Sequence, residues 1–474
     1  MTPERLWTAE DIAAVTGGRL VGSNFDVTGI SIDTRTAAQG DLFIALKGPR
    51  FDGHDFIDAA QDKKVAGIMA TREISGNTII VNDTLRAMQD MGAGARARSN
   101  AKIFAITGSV GKTSTKEMLA RCLTILGKTH AAEASLNNHW GVPLSLARLP
   151  VSAQYGVFEL GMNAANEITP LSKLVSPHIA LITTIAAAHV EKLGSLENIA
   201  RAKAEIFHGM DANGVAILPR DVPEFPILLA EARTQGIGTI LTFGATEGAD
   251  LHMLSVQLNE DTTDMRFSFK GREYKLKLGL AGAHQAMNAL AVLAALAQVT
   301  NDIEKAFPAL ENMQAVSGRG NRWPCVIKKG APPVLVIDET HNASPIAVKA
   351  ALEVLAQIPT TGRRLAALGD MLELGDTAPA EHAGLKAALL AAQVDQVFTC
   401  GKLMAHLAET LPFGRNKHFA DSEALAAQIG ELVQPGDILL IKGSRGAKMK
   451  LVIDAFQGLG QSAQKTPMPA VTGR

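Results

Sequence analysis

The sequence predicts an α/β protein in three parts: a small α/β unit over residues 1–83, a central phosphate-loop unit with a mostly parallel sheet over 84–316, and a Rossmann-like, doubly wound unit over 317–474. Three observations predict it. Residues 102–116 read K-I-F-A-I-T-G-S-V-G-K-T-S-T-K, an apolar β-branched run that gives way to a glycine turn and then to a helical pattern. Strand-like and helix-like stretches alternate along the chain, as in sheets covered by helices. Residues 315–333, rich in Gly, Pro, Arg and Lys, interrupt that alternation, after which it starts afresh. A chain of 474 residues is long enough for about three domains.

Taken in order, Thr8 and Asp11 mark a helix start, and Gly17-Gly18 its stop. Short strands are expected at 27–32, 41–46, 67–69 and 78–81, with a helix at 56–63. A connecting helix over 85–97 leads to the strand 102–107. The helix that follows, 113–127, carries Met118, Leu119, Cys122, Leu123 and Leu126 on one face. Further strands are expected at 155–160, 178–184, 214–218 and 239–243. Residues 250–278 alternate apolar and polar around turn signals at 259–262 and 270–271, which predicts antiparallel strands added to the sheet. An alanine-rich helix covers 283–298. Beyond the boundary stretch, strands are expected at 334–338, 364–368, 396–399 and 437–441, and helices near 345–357, 380–391, 422–432 and 448–456. No Gly-x-Gly-x-x-Gly fingerprint occurs there. The tail after Gly458 is polar and expected to be mobile.

Bulk properties exclude several function classes. A formal net charge of −1 gives no basic field for nucleic acid, and an aromatic content of 4% argues against a base-stacking surface. Cys122, Cys325 and Cys400 are too scattered for a disulfide framework or a metal site, which fits a reducing cytosol. No apolar run is long enough to span a bilayer, and the charged N-terminus lacks a signal-peptide core. A cytoplasmic, monomeric protein, not integral to a membrane, is the expectation.

The chemistry concentrates at strand ends. In Thr107-Gly108-Ser109-Val110-Gly111-Lys112-Thr113-Ser114, backbone amides and the helix N-terminus favour an anion. Lys112 reaches the outer phosphates of a nucleotide, and the Thr113 hydroxyl can ligate Mg²⁺. The strict pattern requires glycine where Ile106 stands. Glu159 ends a strand and is placed to hold Mg²⁺. His189 follows another strand. Lys203 lies on a helix, where spacing alone gives no reason to prefer function over a solvated side chain. Asn137 and Asn138 form a polar loop, and Asn288 is an unexpected amide in an alanine-rich helix. Arg319 and Arg322 lie in the boundary stretch. Asp338, Thr340, His341 and Asn342 follow the first C-terminal strand, and Lys442-Gly443-Ser444-Arg445 the last. Together they predict a site facing the central unit. In the N-terminal unit, Ser31, Asp33, Thr34 and Arg35, then Lys47-Gly48 and Asp52-Gly53-His54-Asp55, fit either a ligand loop or ordinary turn chemistry.

These residues resemble the Mur ligases, ATP-dependent amide-forming enzymes of bacterial cell-wall synthesis. The resemblance covers nearly the whole chain. It rests on T-G-S-V-G-K-T-S-T-K, S-L-N-N-H-W-G-V-P-L, E-L-G-M-N, A-A-A-H-V-E-K-L-G-S, A-K-A-E-I-F and H-Q-A-M-N-A-L. S-I-D-T-R, F-D-G-H-D-F, I-D-E-T-H-N-A-S-P, A-L-G-D-M-L-E-L-G and I-K-G-S-R-G look like the members that add D-alanyl-D-alanine to UDP-N-acetylmuramoyl-tripeptide. The resemblance implies ATP and Mg²⁺, with Lys112 and the loop amides on the phosphates. Thr113, Glu159 and His189 would stand at Mg²⁺, and Lys203 at a position that relatives carry carbamylated. Asn288, Arg319, Asp338 and Asn342 would contact nucleotide. Ser31, Asp33, Thr34, Arg35, Lys47, Asn137 and Asn138 would contact substrate. The family commonly has Tyr where His341 stands, Glu-Asn where Ser135-Leu136 stands and a second Gly where Lys192 stands. A superfamily alternative is a folylpolyglutamate synthase; a different class is a phosphate-loop ATPase that hydrolyses without ligating.

Overall fold

The computed structural model describes residues 4–188 and 190–465, built around three main sheets. In the first, Arg19–Val21, Thr78–Ile80, Gly67–Ala70, Asp41–Ile44 and Gly29–Ser31 lie side by side, parallel except for the first. The helix Ala9–Thr16 beside it starts at a reciprocal cap between Thr8 and Asp11, and ends on Gly17 at φ 63°. The pattern of Thr, Asp and Gly predicts those bounds because each residue answers a specific orphan group or backbone angle. Two pieces escaped the pattern: Arg19–Val21, and the two-residue pairing of Trp7–Thr8 with Asp26–Val27. Both are too short to show a period.

The second sheet has nine strands. Lys102–Thr107 lies within it, parallel to Tyr155–Glu159 on one side and Ile179–Ile182 on the other. The chain leaves this strand for the edge strand Thr129–Ala131, returns to Tyr155–Glu159, and then crosses to Ile179–Ile182. The crossover makes the C-terminal end of Lys102–Thr107 a topological switch point, where an α/β sheet opens a crevice. Leu251–Leu258, Thr263–Phe269 and Arg272–Leu278 extend the sheet as the expected antiparallel strands. Met118, Leu119, Cys122 and Leu123 of the helix Lys112–Leu126 pack on one face, with the helix Ala283–Leu296. The other face meets the helices Thr84–Ala97, Gly141–Ala147 and Leu196–Ala204. That core continues into the N-terminal unit through Ile30, Leu42 and Ile44, and the Trp7 indole donates to the Ala147 carbonyl at 2.8 Å.

The third sheet runs Asn321–Cys325, Val334–Glu339, Ile438–Lys442, Arg364–Gly369, Gln396–Cys400, Asn416–Phe419, parallel except for the first. Here the structure departs from the sequence reading in several places: the strand Asn416–Phe419 was not expected, and the helix expected at 380–391 is two, Ala378–Ala383 and Lys386–Ala391. Part of the boundary stretch is an antiparallel edge strand. Pro324 is tolerated there because an edge residue need not donate to a neighbour, and its presence hid the strand. The helix Lys450–Lys465 also runs on through Gly458, into what was expected to be a mobile tail. Before that point Val452, Ile453 and Phe456 bury a face against Leu425 and Ile429, which anchors the helix on the unit's core. Residues 466–474 lie outside the described residues. Among the described residues, no helix is long and apolar enough to cross a membrane.

Candidate active site

The loop after Lys102–Thr107 is closed by its neighbours. Gly108 has φ 147°, and a Cβ there would fall 1.9 Å from the Thr183 hydroxyl; at Gly111, φ 85°, it would fall 2.6 Å from Oδ1 of Asn288. Only glycine permits both the backbone angle and the approach. The Ser109 amide donates to the Thr184 carbonyl at 2.9 Å, and the Thr183 hydroxyl to the Val110 carbonyl at 2.6 Å. Lys112 folds back over the loop, its ammonium donating to the Gly108 carbonyl at 2.7 Å. Burial, with Arg319 nearby, pushes the Lys112 pKa down, while Glu159 opposes this. A glycine turn at a helix N-terminus with a cation on a flexible stem has the chemistry that suits a phosphate.

Glu159 is 1% exposed, and both its oxygens are engaged. The Thr113 hydroxyl donates to Oε2 and the Asn137 amide to Oε1, each at 2.7 Å. Arg319 reaches across from the C-terminal side and donates to the Thr113 hydroxyl at 2.8 Å and to the Ser135 hydroxyl at 3.3 Å. His341, also from that side, lies 3.4 Å from the Ser135 hydroxyl through Nε2. Burial first, then the charges of Arg319 and Arg445, push the His341 pKa down to about 4, so the ring is neutral near pH 7. A hard carboxylate and a hydroxyl beside a phosphate cradle are oxygen donors of the kind Mg²⁺ takes together with substrate phosphates.

Lys203 is 2% exposed. Among the described residues no carboxylate pairs with it. Burial, then the charge of Lys112, pushes its pKa well below the usual lysine range. The fold thus does not leave it the solvated side chain that a helix position alone suggests. His189 lies outside the described residues. Sequence reasoning gave no role to Lys116, fully buried one turn beyond Lys112. Its ammonium donates to the carbonyls of Ala132 and Ala134 and pairs with Glu117 at 2.8 Å. It ties down the segment that leads to Ser135 and Asn137. A lysine one turn after Gly-Lys-Thr reads as exposed, so only the fold reveals it.

The other expected site residues divide by geometry. Asn288 packs against Gly111, with its amide 3.4 Å from Oε1 of Gln285. The Asp338 carboxylate is taken up locally, accepting from the Gly318 amide at 2.9 Å and from the Thr340 amide and hydroxyl at 3.0 and 2.6 Å. It therefore fixes the turn that carries Arg319. The Asn342 carbonyl accepts from Lys442, which also pairs with Glu339 at 3.0 Å. Asn138 caps the helix Gly141–Ala147, accepting from the Gly141 amide at 2.9 Å. The phosphate loop, Glu159, Asn137, Asn138, Asn288, Arg319, His341, Asn342 and Arg445 all line one cleft of about 1340 Å³.

Ser31, Asp33, Thr34, Arg35 and Lys47 are not on that cleft. They cluster at strand ends of the first sheet. The Asp33 carboxylate receives the Arg35 guanidinium at 2.5 Å, and the Arg35 side chain stays 87% exposed. The Ser31 hydroxyl donates to the Asp33 carbonyl at 2.9 Å. Lys47 bridges to Asp52 across a turn, and Gly48 lies against Trp140. In F-D-G-H-D-F, Nε2 of His54 accepts from the Thr71 amide at 3.0 Å, which leaves the proton on Nδ1 for Asp52 at 2.6 Å. That motif shapes the unit's own fold.

Comparison with known proteins gives consistent matches along the chain. The profile described as the Mur ligase middle domain matches residues 106–296, the Mur ligase glutamate ligase domain 321–445, and the Mur ligase family catalytic domain 26–98. UDP-N-acetylmuramoyl-tripeptide–D-alanyl-D-alanine ligase of Bacillus subtilis is 33% identical over 94% of this chain and 97% of its own length. The crystal structure of MurF from Acinetobacter baumannii superposes with a TM-score of 0.82 at 32% identity, covering 96% of this chain and all of that one. That of MurF ligase from Thermotoga maritima in complex with ADP gives 0.74 at 27%, covering 92% and 98%.

Proposed function

The chain belongs to the Mur ligase family, and from that premise we propose that it joins D-alanyl-D-alanine to UDP-N-acetylmuramoyl-tripeptide, with ATP cleaved to ADP and phosphate. The observation that carries the reading is the convergence of Arg319 and His341 on Thr113 and Ser135, beside the phosphate loop. It sets a C-terminal wall against a phosphate cradle, with one cleft between them.

A carboxylate is a poor acyl donor because its oxygen leaves badly. Transfer of the γ-phosphoryl group to the tripeptide carboxylate gives an acyl phosphate, whose phosphate leaves readily. The dipeptide amine then attacks the carbonyl carbon, and phosphate departs from the tetrahedral intermediate. Lys112, the loop amides and Arg319 offset charge on the transferring group. Asn288 supports the loop, and Asp338 holds the Arg319 turn. Thr113 and Glu159 fit Mg²⁺ by their donor chemistry, and the ion when bound would neutralise phosphate charge. A cleft walled from both sides limits water, which would hydrolyse the acyl phosphate. The N-terminal cluster of Ser31, Asp33, Thr34, Arg35 and Lys47 serves the UDP-sugar end of the acceptor. Lys203, buried without an acid partner among the described residues, is the position for a carbamate.

The test is ADP release. It should require both UDP-N-acetylmuramoyl-tripeptide and D-alanyl-D-alanine, with mass spectrometry showing the pentapeptide product. ADP release with ATP alone, at the same rate, would leave only an ATPase.

A further inference from the structure

The helix Gly141–Ala147 has its start at the cleft and its end against the N-terminal unit. At the start, Asn138 caps it and Asn137 donates to Glu159. At the end, two consecutive residues hold the N-terminal unit. The Ala147 carbonyl accepts from the Trp7 indole, and the Arg98 guanidinium carbon lies 3.5 Å from the centre of that ring. Arg148, the next residue, reaches back across the boundary between the units. Its Nε and Nη2 both donate to the Ile30 carbonyl, Nε at 2.8 Å. Ile30 is 1% exposed, on Gly29–Ser31, the edge strand of the first sheet, and a sheet edge is open to such a partner. The remaining nitrogen, Nη1, donates to the Glu133 carboxylate at 2.7 Å. Glu133 stands between Ala132 and Ala134, whose carbonyls Lys116 holds, and its segment leads into Ser135 and Asn137. The Glu133 side chain is 75% exposed, so the ion pair adds little stability; what it fixes is geometry.

We propose that Arg148 is a positioning residue for the ligation. It does not line the cleft, but it locks the strand that leads into Ser31, Asp33, Thr34 and Arg35 to the frame that holds Ser135, Asn137 and, through Asn137, Glu159. The inference rests on the ligase reading above, with that N-terminal cluster at the UDP-sugar end of the acceptor. The acceptor is then gripped at one end and reacts at the other, where its carboxylate takes the γ-phosphoryl group. Its peptide spans the gap, and each extended residue covers only about 3.3–3.6 Å. The seven-residue helix between Asn138 and Arg148, about 10 Å long, is a stiff bar that sets the gap. A shift of about 1 Å between the two ends takes the carboxylate out of line, an error that costs on the order of 10² in rate. The planar fork of Arg148 answers the Ile30 carbonyl and Glu133 together, and a lysine at this position could not reproduce that geometry.

The experiment measures ADP release with D-alanyl-D-alanine and two acceptors, UDP-N-acetylmuramoyl-tripeptide and the shorter UDP-N-acetylmuramoyl-dipeptide. Wild-type enzyme should show a kcat/KM at least about tenfold higher for the tripeptide, because only that length brings the carboxylate into line. Arg148→Lys and Arg148→Ala should lower kcat with the tripeptide at least about tenfold and leave the KM for ATP within about twofold. They should also shrink the preference for the tripeptide, since an acceptor already out of register has less to lose. Glu133→Gln changes an exposed carboxylate that the fold does not need, and should act in the same direction to a smaller extent. Equal wild-type kcat/KM for the two acceptors overturns the proposal without any variant having to fold. Equal losses on both acceptors in the Arg148 variants overturn it too, marking a structural role, as does unchanged kcat with the tripeptide. Absence of ADP release dependent on D-alanyl-D-alanine from wild type would instead remove the ligase reading itself.

Discussion

The Thr113 hydroxyl donates to the Glu159 carboxylate at 2.7 Å, although the two residues come from different segments, the helix start after one strand and the end of the next strand over. Parallel pairing of Tyr155–Glu159 with Lys102–Thr107 sets this relationship, because the register places Glu159 opposite Ile106, one residue before the loop. Two hard oxygen donors thereby meet at the edge of the phosphate cradle.

Glu159→Gln tests that pairing. Glutamine keeps the shape, and its amide oxygen can still accept from Thr113 or Asn137, but the charge is lost. The Mg²⁺ concentration giving half-maximal ADP release should rise at least about tenfold, in the range typical of damage around a metal site. An unchanged Mg²⁺ dependence would show that Glu159 does not serve the ion.

Lys112→Ala removes the flexible cation folded over the loop. Turnover should fall by about 10²–10³ or more, the usual effect of losing a group that stabilises transferring charge. Thermal unfolding should shift little, since the ammonium contacts loop carbonyls and not apolar core. Near-normal turnover would refute the phosphate-loop assignment.

Arg35→Ala probes the N-terminal cluster. The guanidinium is exposed and, among the described residues, paired only with Asp33, two residues before it, so its loss should not disturb the fold. The KM for the UDP-muramoyl tripeptide should rise several-fold while that for ATP stays put. An equal rise in both would count against a separate substrate site in this unit.

The cradle was legible from sequence because strand, glycine turn and Gly-Lys-Thr are local signals, and Glu159 because strand ends follow from apolar runs. Partnerships between distant segments were not. Nothing near Asp338 says that its carboxylate holds the Gly318 amide; that depends on the pairing of Asn321–Cys325 with Val334–Glu339, an edge strand disguised by Pro324. Lys116 reads as a surface lysine until the 132–134 segment folds over it. The N-terminal polar residues were equally visible, but their separation from the main cleft is a matter of how two sheets are set against each other.

Acid should destabilise the protein through its neutral histidines. Burial holds His130 down at about 4, with Nε2 against the Ser145 carbonyl at 2.8 Å, and His341 likewise. Unfolded, each returns to the usual histidine range, near 6.5. Between about pH 6.5 and 4 the unfolded chain binds the protons that the folded chain refuses, so stability falls as pH falls, by up to about 1.4 kcal/mol per pH unit for the buried His130 and by less for His341, which solvent screens. Denaturant midpoints at pH 7, 6 and 5 measure the slope, and His130→Gln should flatten it. A midpoint that holds constant down to pH 5 in wild type would contradict the buried neutral state.

Lys203 makes the sharpest prediction. Its ammonium would be buried beside the charge of Lys112 with no acid partner among the described residues, and this environment favours the neutral amine. A neutral amine adds CO₂: the nitrogen lone pair bonds to carbon, one proton leaves to solvent, and an anionic carbamate replaces the neutral amine. The product supplies oxygen ligands of the type Mg²⁺ takes and adds attraction to Lys112 where the neutral amine had none. Lys203→Ala should lose activity, and acetate should restore part of it by entering the vacated anion site. Formate should do so too, and chloride should not. With ¹³C-bicarbonate, wild-type protein should show a carbamate carbon resonance that is absent in Lys203→Ala, whether or not ATP is present. Fully active wild-type enzyme lacking that resonance, in buffer stripped of CO₂, would mean that the unmodified amine suffices.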